Sequence, residues 1–414
     1  MSTPDTENVL ELGRRWQVHL KRGVRSLEAG QLDRAARHFA AAYRLAPDRP
    51  EVCLALGREY LRRGQLAQAE PLLRRAWEGN RGLAVAAAAL ARLLGVGRGD
   101  LKAAHKLLDE AFARHPEHAL LIVVRGELQL EKDDWVQARR SFERARELGA
   151  EHHAVHAGLA RTFNAEGIAH GEGRADERAI FAFKRACDLD PTWSGPCVNL
   201  GVVFARLGRP RRARACYERA IKIEPDNPVA HYNLGNLLRE AGDLAGAVEC
   251  YDRVVELSPD YPGARVSLAD VLADRGEYGR AIELYREAVS GEPESVPVWG
   301  NLGLALIASG DEDEGEQCLR RALELDPQSF HACCNLAALL ICQGRYPEAA
   351  RFARQAKAID PEKARRWFSE GEMHGGLGGG LAAGCGKAPL LAKAPVLPLP
   401  TPATRAPEPT DHNS

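Results

Sequence analysis

Two amphipathic patterns follow one another along this chain, and they repeat. Between Pro228 and Tyr261, apolar residues fall at Val229, Leu234, Leu237 and Leu238, the spacing of one helical face. Gly242 ends that stripe, as a residue tolerant of positive φ does at a helix terminus. Asp243 follows, and its side-chain oxygen suits the orphan amides of a new helix. The second stripe runs through Ala247, Val248, Tyr251, Val254, Val255 and Leu257. Pro259 closes it, because proline cannot continue the hydrogen-bond ladder. The pattern predicts two antiparallel helices joined by a tight turn.

The same pair recurs every 34 residues, with ten units in all. The eighth position, on the first helix, holds Gly23, Gly57, Ala91, Gly126, Ala160, Gly201, Gly235, Ala269, Gly303 and Ala337. The twentieth, on the second helix, holds Ala35, Ala69, Ala104, Ala138, Ala179, Ala213, Ala247, Ala281, Gly315 and Ala349. The twenty-seventh is alanine except for Val254. Small side chains at these points let two helices approach closely. Large residues at the twenty-fourth position fill the gaps between units: Phe39, Phe142, Phe183, Tyr217, Tyr251 and Tyr285. Proline ends eight of the ten units.

In these small-residue, aromatic and proline positions the sequence resembles the tetratricopeptide repeat (TPR) family over residues 16–363. The resemblance implies an all-α, right-handed superhelical solenoid. The first helix of each pair would line a concave groove that binds peptides or proteins. The expected repeats are 16–49, 50–83, 84–118, 119–152, 153–193, 194–227, 228–261, 262–295, 296–329 and 330–363, after a lead-in at 1–15. Arg22 and Arg125 stand where the family has leucine. The third repeat carries an extra residue near Gly95–Gly99, and the fifth about seven around His170–Arg174; both are expected to loop out. After Pro361, Glu362 to Glu370 should continue as a helix whose Trp367 and Phe368 cover the last repeat, with the cap ending over 364–370. Residues 371–414 are Gly- and Pro-rich and read as a disordered tail. Within it, Pro395 and Pro398 have the spacing of a proline-recognition ligand.

Composition narrows the function. A net charge of -1 gives no general pull toward nucleic acid or acidic membranes. The segment Met1 to Gly23 lacks the apolar core of a signal peptide. The longest apolar stretch, Leu83 to Leu94, is interrupted by Arg92 and too short to span a bilayer, so no membrane insertion is expected. Ten cysteines without a regular framework fit a reducing compartment, and a cytoplasmic location is expected. The oligomeric state is not legible.

Candidate chemistry lies on the first helices. The sixth position holds Asn199, Asn233, Ser267, Asn301 and Asn335 in five successive repeats. A carboxamide donates and accepts, so such a row can pair with the backbone of an extended peptide. It resembles the asparagine ladder in the TPR part of the O-linked N-acetylglucosamine transferases. The ninth position holds Arg58, Arg92 and Arg161, then Asn236 and Asp270, with Glu127 interrupting; the arginines would favour an acidic partner segment. The carboxylate clamp of chaperone-binding TPR domains is disfavoured, since its lysine positions hold Leu20, Leu54 and similar residues. Cys53, Cys197 and Cys333 share one repeat position and Cys216, Cys250 and Cys318 another, so they read as buried apolar residues. The trios His331, Cys334, Cys342 and His152, His153, His156 are weak metal candidates, and no metal or other cofactor is expected. Nucleophile elbows and phosphate-cradling loops are missing. The sequence therefore points to a non-catalytic scaffold or adaptor for protein segments. A structural part of an envelope or secretion assembly is the alternative, and a group-transfer enzyme ranks last.

Overall fold

The computed structural model describes residues 4–372, with side chains over 15–368. Every regular element among them is helical. They form two compact units, one ending at Val203 and the other starting at Phe204. In the first unit the order is α1 (Pro4–Glu28), α2 (Leu32–Leu45), α3 (Pro50–Arg62), α4 (Leu66–Gly79), α5 (Ala84–Arg92), α6 (Leu101–Phe112), α7 (Ala119–Leu130), α8 (Trp135–Glu147), α9 (His152–Glu172), α10 (Asp176–Leu189) and α11 (Gly195–Arg206), whose end passes the boundary. The second unit holds α12 (Pro210–Ile223), α13 (Pro228–Glu240), α14 (Leu244–Leu257), α15 (Ala264–Asp274), α16 (Tyr278–Gly291), α17 (Val296–Ser309), α18 (Glu312–Leu325), α19 (Phe330–Cys342), α20 (Tyr346–Ile359) and α21 (Pro361–Glu372).

The turn read from Gly242 and Asp243 has the expected geometry. Gly242 sits at φ +81°, and the Asp243 carboxylate accepts from the Gly246 amide at 3.0 Å. Such a cap stabilises a helix by about 1 kcal/mol. The small residues do what their size requires. A Cβ on Gly235 would lie 2.9 Å from Tyr251, and one on Gly126 2.9 Å from Phe142. Phe142 is enclosed from a second side by Gly158 of the next repeat, where a Cβ would come within 2.3 Å of the ring. The aromatic therefore locks its own first helix to the following one. Successive first helices touch directly: α5 with α7 and α7 with α9 in the first unit, α15 with α17 and α17 with α19 in the second.

Both expected loops are absent, because helical geometry absorbs the extra residues. In repeat three α5 runs on as a π turn over Leu93–Gly97, which accommodates one additional residue by widening the helix. A loop there would pull Gly95 away from α7; instead a Cβ on Gly95 would lie 2.1 Å from Leu128. In repeat five the insertion lengthens α9 to 21 residues. Seven residues make almost two full turns at about 3.6 residues per turn, so the same face returns. The small contact against α10 is consequently made by Gly167, whose Cβ would meet Phe183 at 2.6 Å, seven residues beyond Ala160.

α1 leads without a break into the first repeat, and α21 follows the last one. Trp367 and Phe368 lie half-buried against Cys333, Cys334 and Ala356. The Gly- and Pro-rich tail from 373 onward, with Pro395 and Pro398, lies outside the described residues.

Candidate functional site

In the second unit the polar positions of the first helices join into a network centred on Asp270. Asp270 lies on α15, and its Oδ1 accepts from the Tyr285 hydroxyl at 2.6 Å and from Asn301 Nδ2 at 3.0 Å. Its Oδ2 lies 3.5 Å from Arg239 Nη1, with both side chains mostly covered. One repeat earlier, the Tyr251 hydroxyl donates to Asn236 Oδ1 at 2.6 Å. Two successive repeats thus use one device. The aromatic at the twenty-fourth position, buried against the small eighth residue, reaches through to the ninth position with its hydroxyl. Burial, then the adjoining Asp270 charge, pushes the Tyr285 phenol well above its ordinary range. The hydroxyl keeps its proton and remains a donor to Asp270.

The expected row at the sixth position divides in two. Asn233, Ser267 and Asn335 are buried. Asn233 Nδ2 turns back to Val229 O at 2.8 Å, and Ser267 pairs with the Tyr232 hydroxyl at 3.3 Å. Asn335 Oδ1 is buried with no hydrogen-bond partner among the described residues. Asn301 is half-exposed and has its amide nitrogen engaged by Asp270, which leaves its carbonyl oxygen as the other polar end. Asn236 is also half-exposed and has its oxygen engaged by Tyr251, which leaves its NH₂ as the other polar end. Asn199, in the first unit, donates to Asn164 Oδ1 at 3.0 Å.

The arginines of the ninth position, all in the first unit, are in different states. Arg92 makes a two-pronged pair with Glu127, at 2.7 and 2.8 Å, so the residue that interrupts the row in sequence neutralises it in space. Arg161 reaches Glu131 at 3.5 Å. Arg58 is exposed and has no ion pair among the described residues. Surrounding protein, then Arg62 and Arg92, holds its pKa below the usual arginine range.

The cysteines are mostly packing residues. Burial pushes the thiols of Cys250, Cys318 and Cys333 up to about 11, and that of Cys334 up to about 12, so none is a nucleophile at neutral pH. Cys187 and Cys197, which fall at unrelated repeat positions, come together with their sulfurs 3.3 Å apart. The repeat pattern carries no signal for that pair. Among the described residues no three His, Cys, Asp or Glu side chains are grouped to hold a metal ion. His152 and His156 stack with ring centroids 3.8 Å apart. No helix among the described residues is long and apolar enough to cross a membrane.

A tetratricopeptide repeat family model matches residues 26–93 and 96–162, and a TPR repeat model matches 201–239. The chain is a tetratricopeptide repeat protein. Its residues 226–365 also match the model described as Cilia and flagella-associated protein 70 C-terminal domain. No curated protein matches this TPR chain. Among solved structures, MamA from Desulfovibrio magneticus RS-1 is 22% identical, with a TM-score of 0.39, over 41% of this chain and 96% of MamA. YrrB, titled a TPR protein with an unusual peptide-binding site, is 19% identical, with a TM-score of 0.41, over 46% of this chain and 99% of YrrB. The human IFIT1 dimer with m7Gppp-AAAA is 17% identical, with a TM-score of 0.48, over 75% of this chain and 71% of IFIT1.

Proposed function

We propose that the protein is a non-catalytic scaffold that holds an extended segment of a partner protein along the first helices of its second unit. The observation that carries this reading is the pair Asn236 and Asn301. Each has one end of its carboxamide fixed inside, by Tyr251 and by Asp270. The ends left over are an NH₂ and a carbonyl oxygen, the complements of a peptide C=O and N–H. Because buried side chains already fix both amides, a ligand would order little when it binds, and affinity rises as that cost falls. Backbone pairing of this kind is tolerant of partner sequence. Separately, in the first unit, the exposed Arg58 would favour an acidic segment.

The test is binding of the full chain to an array of unstructured peptides, read by fluorescence anisotropy. Asn236→Ala and Asn301→Ala should each weaken binding about fivefold to tenfold, the value of about 1 kcal/mol for one hydrogen bond. Equal affinity of the double variant and the parent for every peptide bound would overturn the reading.

A further inference from the structure

We propose that the cavity between α7 and α8 in the first unit is a binding site for a phosphoryl group. It is independent of the proposed peptide contacts at Asn236 and Asn301. The cavity has a volume of about 380 Å³ and is lined by Arg125, Gln129, Gln137, Arg140, Ser141 and Arg144. All six side chains carry hydrogen-bond donors, and no carboxylate lines the space.

Arg125 is the departure that makes the site. It stands at the seventh position of its repeat, where Leu56, Leu90, Leu159, Leu268, Leu302 and Leu336 are buried core residues. Arg22 is the only other arginine at that position. It is exposed, on the first repeat. Arg125 sits within the array, with its Nε buried and lacking a hydrogen-bond partner. The guanidinium is held over the Phe112 ring, 4.8 Å from the centroid. An arginine in a leucine site costs stability, and stacking on Phe112 recovers only part of it. The retained group is thus a charge kept in a fixed orientation beside an open cavity.

The remaining lining agrees in sign. The Ser141 hydroxyl donates to Gln129 Oε1 at 2.7 Å, which leaves the Gln129 NH₂ as its other polar end. Arg144 is already paired with Glu117 and Glu147, at 2.8 and 2.9 Å, and both carboxylates are exposed. Arg125 and Arg140 have no ion pair among the described residues. Two charges without a carboxylate partner, beside the amides of Gln129 and Gln137, match a doubly charged phosphate monoester better than a singly charged carboxylate.

Isothermal titration calorimetry of the full chain in physiological salt tests this, with inorganic phosphate, O-phosphoserine and glutamate as titrants. Binding of phosphate alone would assign the site to the free anion. Tighter binding of O-phosphoserine would assign it to a phosphorylated side chain. Either result supports the proposal, provided that R125L abolishes the heat and R140A weakens binding at least about tenfold. R125L restores the residue used by the other repeats, so it should fold and melt no lower than the parent. A folded R125L that binds as the parent does would overturn the proposal. So would equal affinity for glutamate, or no binding of any titrant by the parent.

Discussion

Replacing Asp270 by alanine tests the network at its centre. The substitution removes the acceptor of the Tyr285 hydroxyl, one of two donors on the same oxygen, and the counter-charge of Arg239. Tyr285 is only 2% exposed, so water cannot easily replace the lost acceptor. A buried donor left unsatisfied costs about 1–3 kcal/mol. Asn301 is half-exposed and can turn to water, so its share is small. Arg239 and Asp270 keep 14% and 16% of their side-chain surface, between the exposed and the buried limits for ion pairs, so that loss is worth about 1 kcal/mol. The total is about 3 kcal/mol, roughly a 150-fold change in the opening equilibrium. Repeat arrays need not unfold in one step, so native-state hydrogen exchange is the right assay. Amides of α15, α16 and α17 should exchange about a hundredfold faster in Asp270→Ala, while those of α7 and α8 stay unchanged. In a Tyr285→Phe background the same substitution should cost about 2 kcal/mol less, because the orphan hydroxyl is gone. Less than threefold acceleration, or full additivity of the two changes, would refute the reasoning.

Two further outcomes follow from the packing. Gly158→Ala should lower stability by about 1–3 kcal/mol, because its Cβ would lie 2.3 Å from the Phe142 ring. Gly300→Ala, in mid-helix with nothing within 4 Å of the new Cβ, should raise it by up to about 1 kcal/mol; urea titration of both variants checks the contrast. The third concerns alkaline pH. Burial, then neighbouring Tyr232, pushes Tyr261 up to about 12, and burial likewise raises Tyr217, Tyr251 and Tyr285. The unfolded chain ionises its tyrosines near pH 10 while the folded chain holds those protons. Stability is therefore full below pH 10 and falls as pH rises through about 12. Absorbance at alkaline pH should show these phenols ionising only as helical circular dichroism is lost; ionisation of all nine near pH 10 with helix intact would contradict it.

The helix pairs were legible because the features that specify them are local and repeat: small residues at two contacts, an aromatic between units, a proline at the end. The insertions were misread for a physical reason. Added residues suggest a loop, the more so beside Gly95, Gly97 and Gly99 and beside Gly171 and Gly173, but helical periodicity keeps the packed faces in register. One residue fits in a π turn, and seven return a side chain to nearly the same face. The row at the sixth position was legible as a list of residue types but not as a surface. Whether an asparagine faces a ligand or its own helix depends on partners such as Tyr251 and Asp270, which lie 15 and 31 residues from Asn236 and Asn301. A signal did exist: in repeats seven and eight, tyrosine at the twenty-fourth position accompanies a polar acceptor at the ninth.

Departures from a repeat therefore have to be weighed by what the structure does with them. Extra length in repeats three and five is absorbed by the helix, and Gly95 and Gly167 make close contacts with Leu128 and Phe183. Arg125 is different. Its charge replaces an apolar side chain at an interior position, and the surrounding residues do not neutralise it; Phe112 stacks on it, and its Nε stays unpaired. Arg92, also on a first helix, shows what neutralisation looks like here, with Glu127 one repeat away accepting both prongs of the guanidinium. The fold can thus pair its arginines where a carboxylate is supplied, and beside Arg125 the cavity lining supplies none. That asymmetry separates a helix that merely lengthened from a residue whose missing partner comes from outside the chain.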